Sequence, residues 1–375
     1  MAERFDAVVV GGGIVGSSVG YHLARAGVET AVIDRADAGR ATDAGAGIVS
    51  PPTSSLTGGD EQFEFATNAA AYYPELVDRL RGDGVEETSY ERVGIVGVAV
   101  DDDEIEPYDE RLERVSARNF DRLDEIEPDE ARERFPALAE PKRAFHYADA
   151  ARIDGRVFTD SLLTAARTHG LTTYDGDVDR IRIDRGRVTG VETAGGKRID
   201  AETVVLAGGV WSSAFEGQLG VELPLEPRRG QIARLNVPDT DTSSWPIVTG
   251  FRHHYLVPLP DGTLVCGATL EADAGFDPRP TASGVEEVLA EAQRLVPDLA
   301  DATVADLRVG LRPISGDGLP IIGAVPETDG AYVATGHGSS GLMLGPHSGR
   351  VVAELVSGER TTVPDPLSVD RLADV

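Results

Sequence analysis

The sequence predicts an α/β protein: a dinucleotide-binding domain written in several pieces, with a second, mostly antiparallel β domain threaded through it. Three observations carry this expectation. A complete strand–glycine turn–helix–strand–acid unit ends at Asp34; strand and helix patterns of the same kind return near Ala148 and again near Gly310; and the segments between are short strands punctuated by Pro and Gly.

Val8–Val10 is a short β-branched run, as suits a parallel strand buried on both faces. Gly11, Gly13 and Gly16 follow at the spacing G-x-G-x-x-G. Gly11 would make the tight turn, Gly13 would admit a pyrophosphate to the backbone, and Gly16 would let the helix pack closely. That helix is expected to reach about Ala26, with Gly27 as its C-terminal cap. Thr30–Ile33 is the next strand, and Asp34 sits where an acid accepts hydrogen bonds from a ribose. The first piece, residues 1–84, continues through Pro51–Pro52 to a helix around Phe63–Arg81. A second piece, 146–223, holds a helix over Phe158–Gly170 and strands over Val178–Ile183, Arg187–Thr193 and Thr203–Leu206, with turn signals at Asp184–Gly186 and Gly195–Gly196. A third, 308–375, closes with a helix over Gly349–Val356 capped near Gly358. Residues 85–145 and 224–307 are assigned to the second domain. Val93–Val100, Gly230–Leu235, His254–Val257 and Leu264–Thr269 are its expected strands, and Glu286–Leu295 its helix, with Leu289, Ala292 and Leu295 on one face.

The net charge of −29, with Lys142 and Lys197 the only lysines, excludes nucleic acid and anionic membrane surfaces as partners. The acids recur throughout, as in Asp101–Glu104 and Asp124–Glu133, rather than in one tail. Such a surface points to a halophilic, haloarchaeal source, where salt screens the self-repulsion. No apolar run approaches the roughly 20 residues needed to span a bilayer. The chain enters its first strand directly, leaving no room for a signal peptide, and a cytoplasmic location is expected. Cys266 is the only cysteine, so an internal disulfide and a cysteine-based metal cluster are excluded. The histidines show no H-x-x-x-H or H-x-x-E-H spacing, and His253–His254, adjoining on an expected strand, would face opposite ways. No metal site is expected. Ser339 and Ser340 stand in G-S-S-G rather than G-x-S-x-G, which rules out a serine hydrolase elbow.

The chemistry gathers in three further segments. In DAGAGIVSP, Asp43–Pro51, the small residues Ala44–Gly47 would let backbone amides approach a phosphate chain or a flat ring. GLRPISGDGLPIIG begins at Gly310. ATGHGSSGLMLGP begins at Ala334 and leads into the last helix, so its amides form a positive, anion-accepting end. Together with VVVGGGIVGSSVGYHLARAG, ADAARIDG at Ala148–Gly155 and VVLAGGVWS, these segments resemble the FAD-dependent D-amino-acid oxidase family. That family includes glycine and sarcosine oxidases and D-amino-acid dehydrogenases. The resemblance spans nearly the whole chain. It implies a glutathione-reductase-type, Rossmann-like FAD-binding domain joined to an antiparallel substrate domain. It also implies hydride transfer from a substrate Cα to flavin N5, giving an imine that water hydrolyses.

Carried onto this sequence, the resemblance implies that Gly11, Gly13 and Gly16, with Ile14 and Val15 among them, surround the pyrophosphate. Asp34, where the family more often has glutamate, meets the adenosine ribose. Arg35, Ala46, Gly47 and Ile48 lie along the nucleotide and flavin, and Val178 holds adenine through its backbone. Gly208 lies near the phosphates, with Ala207, Trp211 and Gly310 among the other cofactor positions. His337, Gly338, Ser339, Ser340, Gly341, Leu342 and Met343 meet the flavin pyrimidine edge. Arg312, which also stands among the cofactor positions, is assigned the substrate carboxylate, because a guanidinium fork fits it bidentately and fixes which face of Cα meets N5. Tyr255, in HHYLVP, resembles the aromatic that closes over the substrate or assists its carboxylate. No general base is assigned, since a neutral amine passes hydride directly and orientation with flavin electrostatics supplies most of the rate. Cys266 lies on VCGAT, away from the C-terminal flavin segment, and is expected to be a buried small hydrophobe rather than a covalent flavin link.

The expected partner is a small carboxylate-bearing amine. The substrate side chain, oxidase or dehydrogenase character, a separate electron-acceptor partner and a homo-oligomer are left open. Two alternatives stand beside this expectation: an FAD-dependent 2-hydroxy-acid or glycerol-3-phosphate-type dehydrogenase, and an electron-transfer flavoprotein subunit of a larger complex. The phosphate substrate would call for extra basic residues near the pocket, where only Arg252 and Arg312 stand out. A purely NAD-binding module would lack the C-terminal flavin segment.

Overall fold

A computed structural model describes residues 3–54, 56, 59–118, 122–237 and 240–372. Its first sheet is built on five parallel strands in the spatial order Thr172–Asp175, Thr30–Asp34, Glu3–Val10, Arg198–Leu206, Ala331–Thr335. Both faces are covered, as the unbroken valine run requires. Val9 with its neighbours Val32 and Val205 faces a core of helices, whereas Val8, Val10, Ala31, Ile33, Val204 and Leu206 face a second core. That second core is closed by the antiparallel ribbon of Val178–Asp184 and Arg187–Thr193.

The helix Ile14–Arg25 crosses the first core and is buried over all but its last residue. It begins without a side-chain cap at Gly13, and the Thr42 hydroxyl accepts from the Ile14 N–H at 3.0 Å. Gly16 is indispensable here, because a β-carbon at that position would run into the Gly11 carbonyl. The helix Gly155–Thr168 is capped by the Asp154 carboxylate, which accepts from the Arg156 and Val157 amides.

The last helix departs from expectation. It runs over Gly341–Val356 and so starts eight residues before Gly349, despite Pro346 in its second turn. A proline there leaves the carbonyl four residues earlier without a donor. That carbonyl, Leu342 O, instead accepts the Tyr73 hydroxyl, and Ser18 Oγ donates to Pro346 O at 2.8 Å. Tertiary partners thus replace the bond whose absence argues against a helix.

The second sheet has eight strands, in the order Thr303–Ser315, Leu225–Asn236, Thr263–Gly267, Tyr255–Pro258, Ile247–Thr249, Ile95–Ala99, Arg143–Tyr147, Leu123–Ile126. Every pair is antiparallel except Ile247–Thr249 with Ile95–Ala99. The helix Ala282–Leu295, capped by Thr281, packs Val288, Ala292 and Leu295 on Ala233, Leu235, Leu264 and Cys266. The boundary expected at 307/308 falls inside the strand Thr303–Ser315, which pairs with Leu225–Asn236 through Ser315. The boundary at 145/146 likewise falls within Arg143–Tyr147. His253 and His254 precede the strand rather than lie on it, and His253 takes a positive φ in the turn.

Arg152 ties the two units together. Its side chain is about 1% exposed. Nε and Nη2 donate to the Glu91 carboxylate, Nη1 to Pro258 O and Nη2 to Ser243 O. Among the described residues no helix is long and apolar enough to cross a membrane, and no group of His, Cys, Asp and Glu is placed to hold a metal ion.

Candidate active site

A cavity of about 1160 Å³ runs from the C-terminal ends of the parallel strands to one face of the antiparallel sheet. Its lining includes Val10, Ile33, Ala207 and Thr335, each at or just past such a strand end, where open α/β sheets hold their ligands. The volume exceeds the usual range for a single drug-sized ligand, so there is room for a dinucleotide and a small substrate together.

At the nucleotide arm the glycine turn is braced by charged side chains. Asp34 accepts from the Gly12 and Ala36 amides, which fixes its carboxylate at the cavity wall. Arg40 Nη2 donates to Gly12 O at 2.7 Å, and its Nη1 lies 3.6 Å from Asp34 Oδ1. Arg35 pairs with Asp37 and Asp177 and lies over the Trp211 ring at 5.4 Å, forming one wall with Val178 beside it. The uncapped start of Ile14–Arg25, with no acid in its first turn, faces this arm. Its spare amides and dipole suit a pyrophosphate.

The ring end is made of Ala44–Ile48 against Gly338–Met343. The Ile153 amide donates to Gly47 O at 2.9 Å, so this glycine-rich loop is held, not free. The helix Gly341–Val356 also begins without a side-chain cap or an acid in its first turn. Its positive end therefore meets whatever occupies the cavity. The His337 ring is turned inward, Nε2 lying 2.9 Å from Ser348 Oγ, and burial holds its pKa down to about 4. The positive character here comes from backbone amides and not from an imidazolium.

Arg312 and Tyr255 line the opposite wall. Arg312 stands directly across from Arg228 in the ladder, so both side chains share one face. Its guanidinium crosses above Gly230, where no β-carbon intervenes, and Nη1 donates to Thr269 O at 2.9 Å. Among the described residues no carboxylate pairs with it, and burial lowers its pKa, although a guanidinium stays charged. Burial pushes the Tyr255 phenol up to about 12, against the opposing effect of the Arg312 charge, so it remains a hydroxyl donor.

All the cofactor and substrate positions singled out in the sequence line this cavity, with one exception. Gly16 packs against the Gly11 carbonyl and does not reach the space a pyrophosphate would fill. Arg252 also lies elsewhere, in a surface network with Asp101, Asp103 and Glu291. The cavity instead gathers Arg111 and Arg228, which no motif marked, along with Arg40, Thr42, Gly230 and Thr269. Arg40 and Thr42 stand just before the DAGAGIVSP segment, and their bonds to the glycine turn need the folded chain to be seen. Cys266 is buried in the second domain, its thiol pushed up to about 12 by burial, and is not among the lining residues.

The family model for FAD-dependent oxidoreductases of the DAO type matches residues 6–355. The uncharacterized oxidoreductase YurR of Bacillus subtilis is 38% identical over 357 residues, covering 94% of this chain and 95% of that protein. The glycine oxidase of Pseudomonas putida is 33% identical over 360 residues, covering 94% of each. Among solved structures, the iminodiacetate oxidase of Chelativorans sp. BNC1 superposes with a TM-score of 0.90 at 36% identity, covering 96% of this chain and 98% of that one.

Proposed function

The chain belongs to the DAO family of FAD-dependent oxidoreductases, and on that premise we propose that it oxidises a small amino acid or secondary amine bearing a carboxylate, of the glycine, sarcosine or iminodiacetate kind. The protein is a flavoenzyme acting on amines. The observation that carries the finer reading is Arg312: a guanidinium in the cavity, unpaired among the described residues and held only by Thr269 O.

Bound in this cavity, FAD supplies the hydride acceptor, and the imine left behind is hydrolysed by water to amine or ammonia and a carbonyl product. The chain's own residues do the rest. Arg312 takes the substrate carboxylate through two parallel N–H bonds, which leaves Cα one fixed position and one exposed face. Tyr255, protonated at any working pH, donates its hydroxyl to the same carboxylate or covers it. Holding Cα in place in this way replaces the entropy loss of a bimolecular encounter. His337 does not serve as a base, because its ring is committed to Ser348 and the amine reacts in its neutral form. The uncapped ends of the helices Ile14–Arg25 and Gly341–Val356 offset negative charge on the pyrophosphate and on the ring.

The test is anaerobic mixing of the FAD-loaded protein, in high salt, with glycine, sarcosine, iminodiacetate, D-alanine, proline and glycerol 3-phosphate. Loss of the oxidised flavin's visible absorbance with at least one amine is expected. No loss with any amine, or loss with glycerol 3-phosphate alone, overturns the reading.

A further inference from the structure

The cavity holds a second guanidinium that no carboxylate of the described residues answers. Arg111 projects from the helix Ile105–Ser116 and is partly buried. Its Nη1 donates to Thr53 O at 3.1 Å, its guanidinium lies 4.9 Å from the centre of the Phe251 ring, and its Nε is buried with no hydrogen-bond partner. The charge nearest to it in effect is that of Arg114, which has the same sign. Removing part of a charged group from water with neither a counter-ion nor a full set of bonds is unfavourable. The other arginines of the cavity differ. Arg35 and Arg40 have aspartates beside them, and Arg228 stands directly across the ladder from Arg312, at the same end of the cavity.

The hairpin of the second sheet runs from Tyr255, beside Arg312, to Phe251, under Arg111. Tyr255, close enough to Arg312 for their charges to interact, pairs across the hairpin with Thr249. The turn that follows is closed by the Gly250 amide donating to His254 O at 2.9 Å, and Phe251 stands in it. Arg111, lying over Phe251, is therefore placed beyond the turn end of this hairpin from Tyr255. Thr249, Gly250 and His253 line the cavity between them.

We propose that Arg111 forms a second anion subsite, and that the preferred substrate is a small secondary amine with a carboxylate at each end. Arg312 takes the carboxylate next to the reacting Cα, and Arg111 takes the other. In such a molecule the two carboxylate carbons are four bonds apart, about 5 Å, so each can be met by a separate fork approaching from outside. A monocarboxylic amine fills only the first subsite and leaves Arg111 as it stands. The proposal rests on the amine-oxidising reading above and narrows its substrate class.

Sarcosine and iminodiacetate separate the two readings, since they differ only by a carboxylate on the N-methyl carbon. With the FAD-loaded wild type, kcat/KM is expected to be at least tenfold higher for iminodiacetate. Diglycolate, an ether of the same span with no amine to oxidise, is expected to inhibit at least tenfold more tightly than methoxyacetate. In Arg111→Met, which keeps the bulk of the side chain, both ratios should fall toward one. Equal treatment of the two amines by the wild type, preference for sarcosine, or equal inhibition by the two ethers overturns the proposal without any variant. An Arg111→Met protein that loses both amines alike while its unfolding midpoint drops also overturns it, because that is the signature of a packing role. If neither amine reduces the flavin, it is the functional reading that fails. The rise of the wild-type unfolding midpoint with diglycolate over that with methoxyacetate still decides the subsite.

Discussion

Gly230→Ala offers a test of the substrate site in which the substituted residue has no side chain with which to bind a ligand. Gly230 lies in the middle of the strand Leu225–Asn236 with an ordinary extended backbone, so alanine is conformationally acceptable there. Alanine narrows the unfolded ensemble and by that route stabilises by about 0.4–1 kcal/mol. A β-carbon at this position, however, falls within 3.0 Å of the Arg312 guanidinium carbon and both of its terminal nitrogens. Those atoms are the free end of a flexible side chain, so the guanidinium moves while the strand stays. Moving it breaks the bond to Thr269 O and takes the fork out of line with a bound carboxylate. Losing one partner of a desolvated charge pair costs about 2–5 kcal/mol, or roughly thirtyfold to several thousandfold in affinity. The assay is anaerobic flavin reduction against substrate concentration, beside thermal unfolding of the same preparation. We expect half-saturation for carboxylate-bearing amines to rise by at least thirtyfold while the unfolding midpoint holds or rises. Adding Arg312→Ala should cause little further loss, because both changes remove one interaction. Unchanged half-saturation would refute the assignment of Arg312 to the carboxylate.

Three further outcomes follow from the same structure. His337 and His347 are held by burial at about 4, and His22 at about 3, against about 6.5 when unfolded. The unfolded chain therefore binds more protons below pH 6.5, and stability falls with pH by about 2 kcal/mol per histidine at pH 5; a flat urea midpoint between pH 7 and 5 would contradict this. Arg152→Met leaves Pro258 O and Ser243 O without donors and should lower the unfolding free energy by about 2–6 kcal/mol, with a change under 1 kcal/mol counting against the bridging role. With 64 acids against 35 lysines and arginines, the surplus of negative charge has nothing to pair with, so the unfolding midpoint should climb between 0.1 and 2 M KCl. A midpoint that falls over that range would show that screened ion pairs outweigh screened repulsion.

The nucleotide arm was legible because its determinants are local. The turn at Gly11, the helix after it and the acid at Asp34 are all set within one strand–helix–strand unit, where backbone sterics and hydrophobic period act over a few residues. Arg312 was singled out because GLRP carries it, and the structure places it in the cavity wall. The start of the last helix was not legible, since Gly345, Pro346 and Gly349 oppose helix by propensity. What overrides them is the close approach of Ile14, Val15 and Ser18, with Tyr73 answering Leu342 O. The edge of the second domain was hidden for a related reason: the strand Thr303–Ser315 runs without a break from the antiparallel sheet to the cavity.

The sequence by itself therefore determined a dinucleotide fold and its FAD family, and singled out Arg312 as the candidate for a carboxylate, because each is written in short runs whose physics is local. Only the tertiary structure decided that Gly230 makes room for Arg312, that Arg252 belongs to the surface, and that Arg111 stands unanswered beyond Tyr255. Those facts depend on which residues meet across sheets joined by long connections. Burial and the presence or absence of a counter-charge are properties of that meeting, and no single segment of the chain contains them.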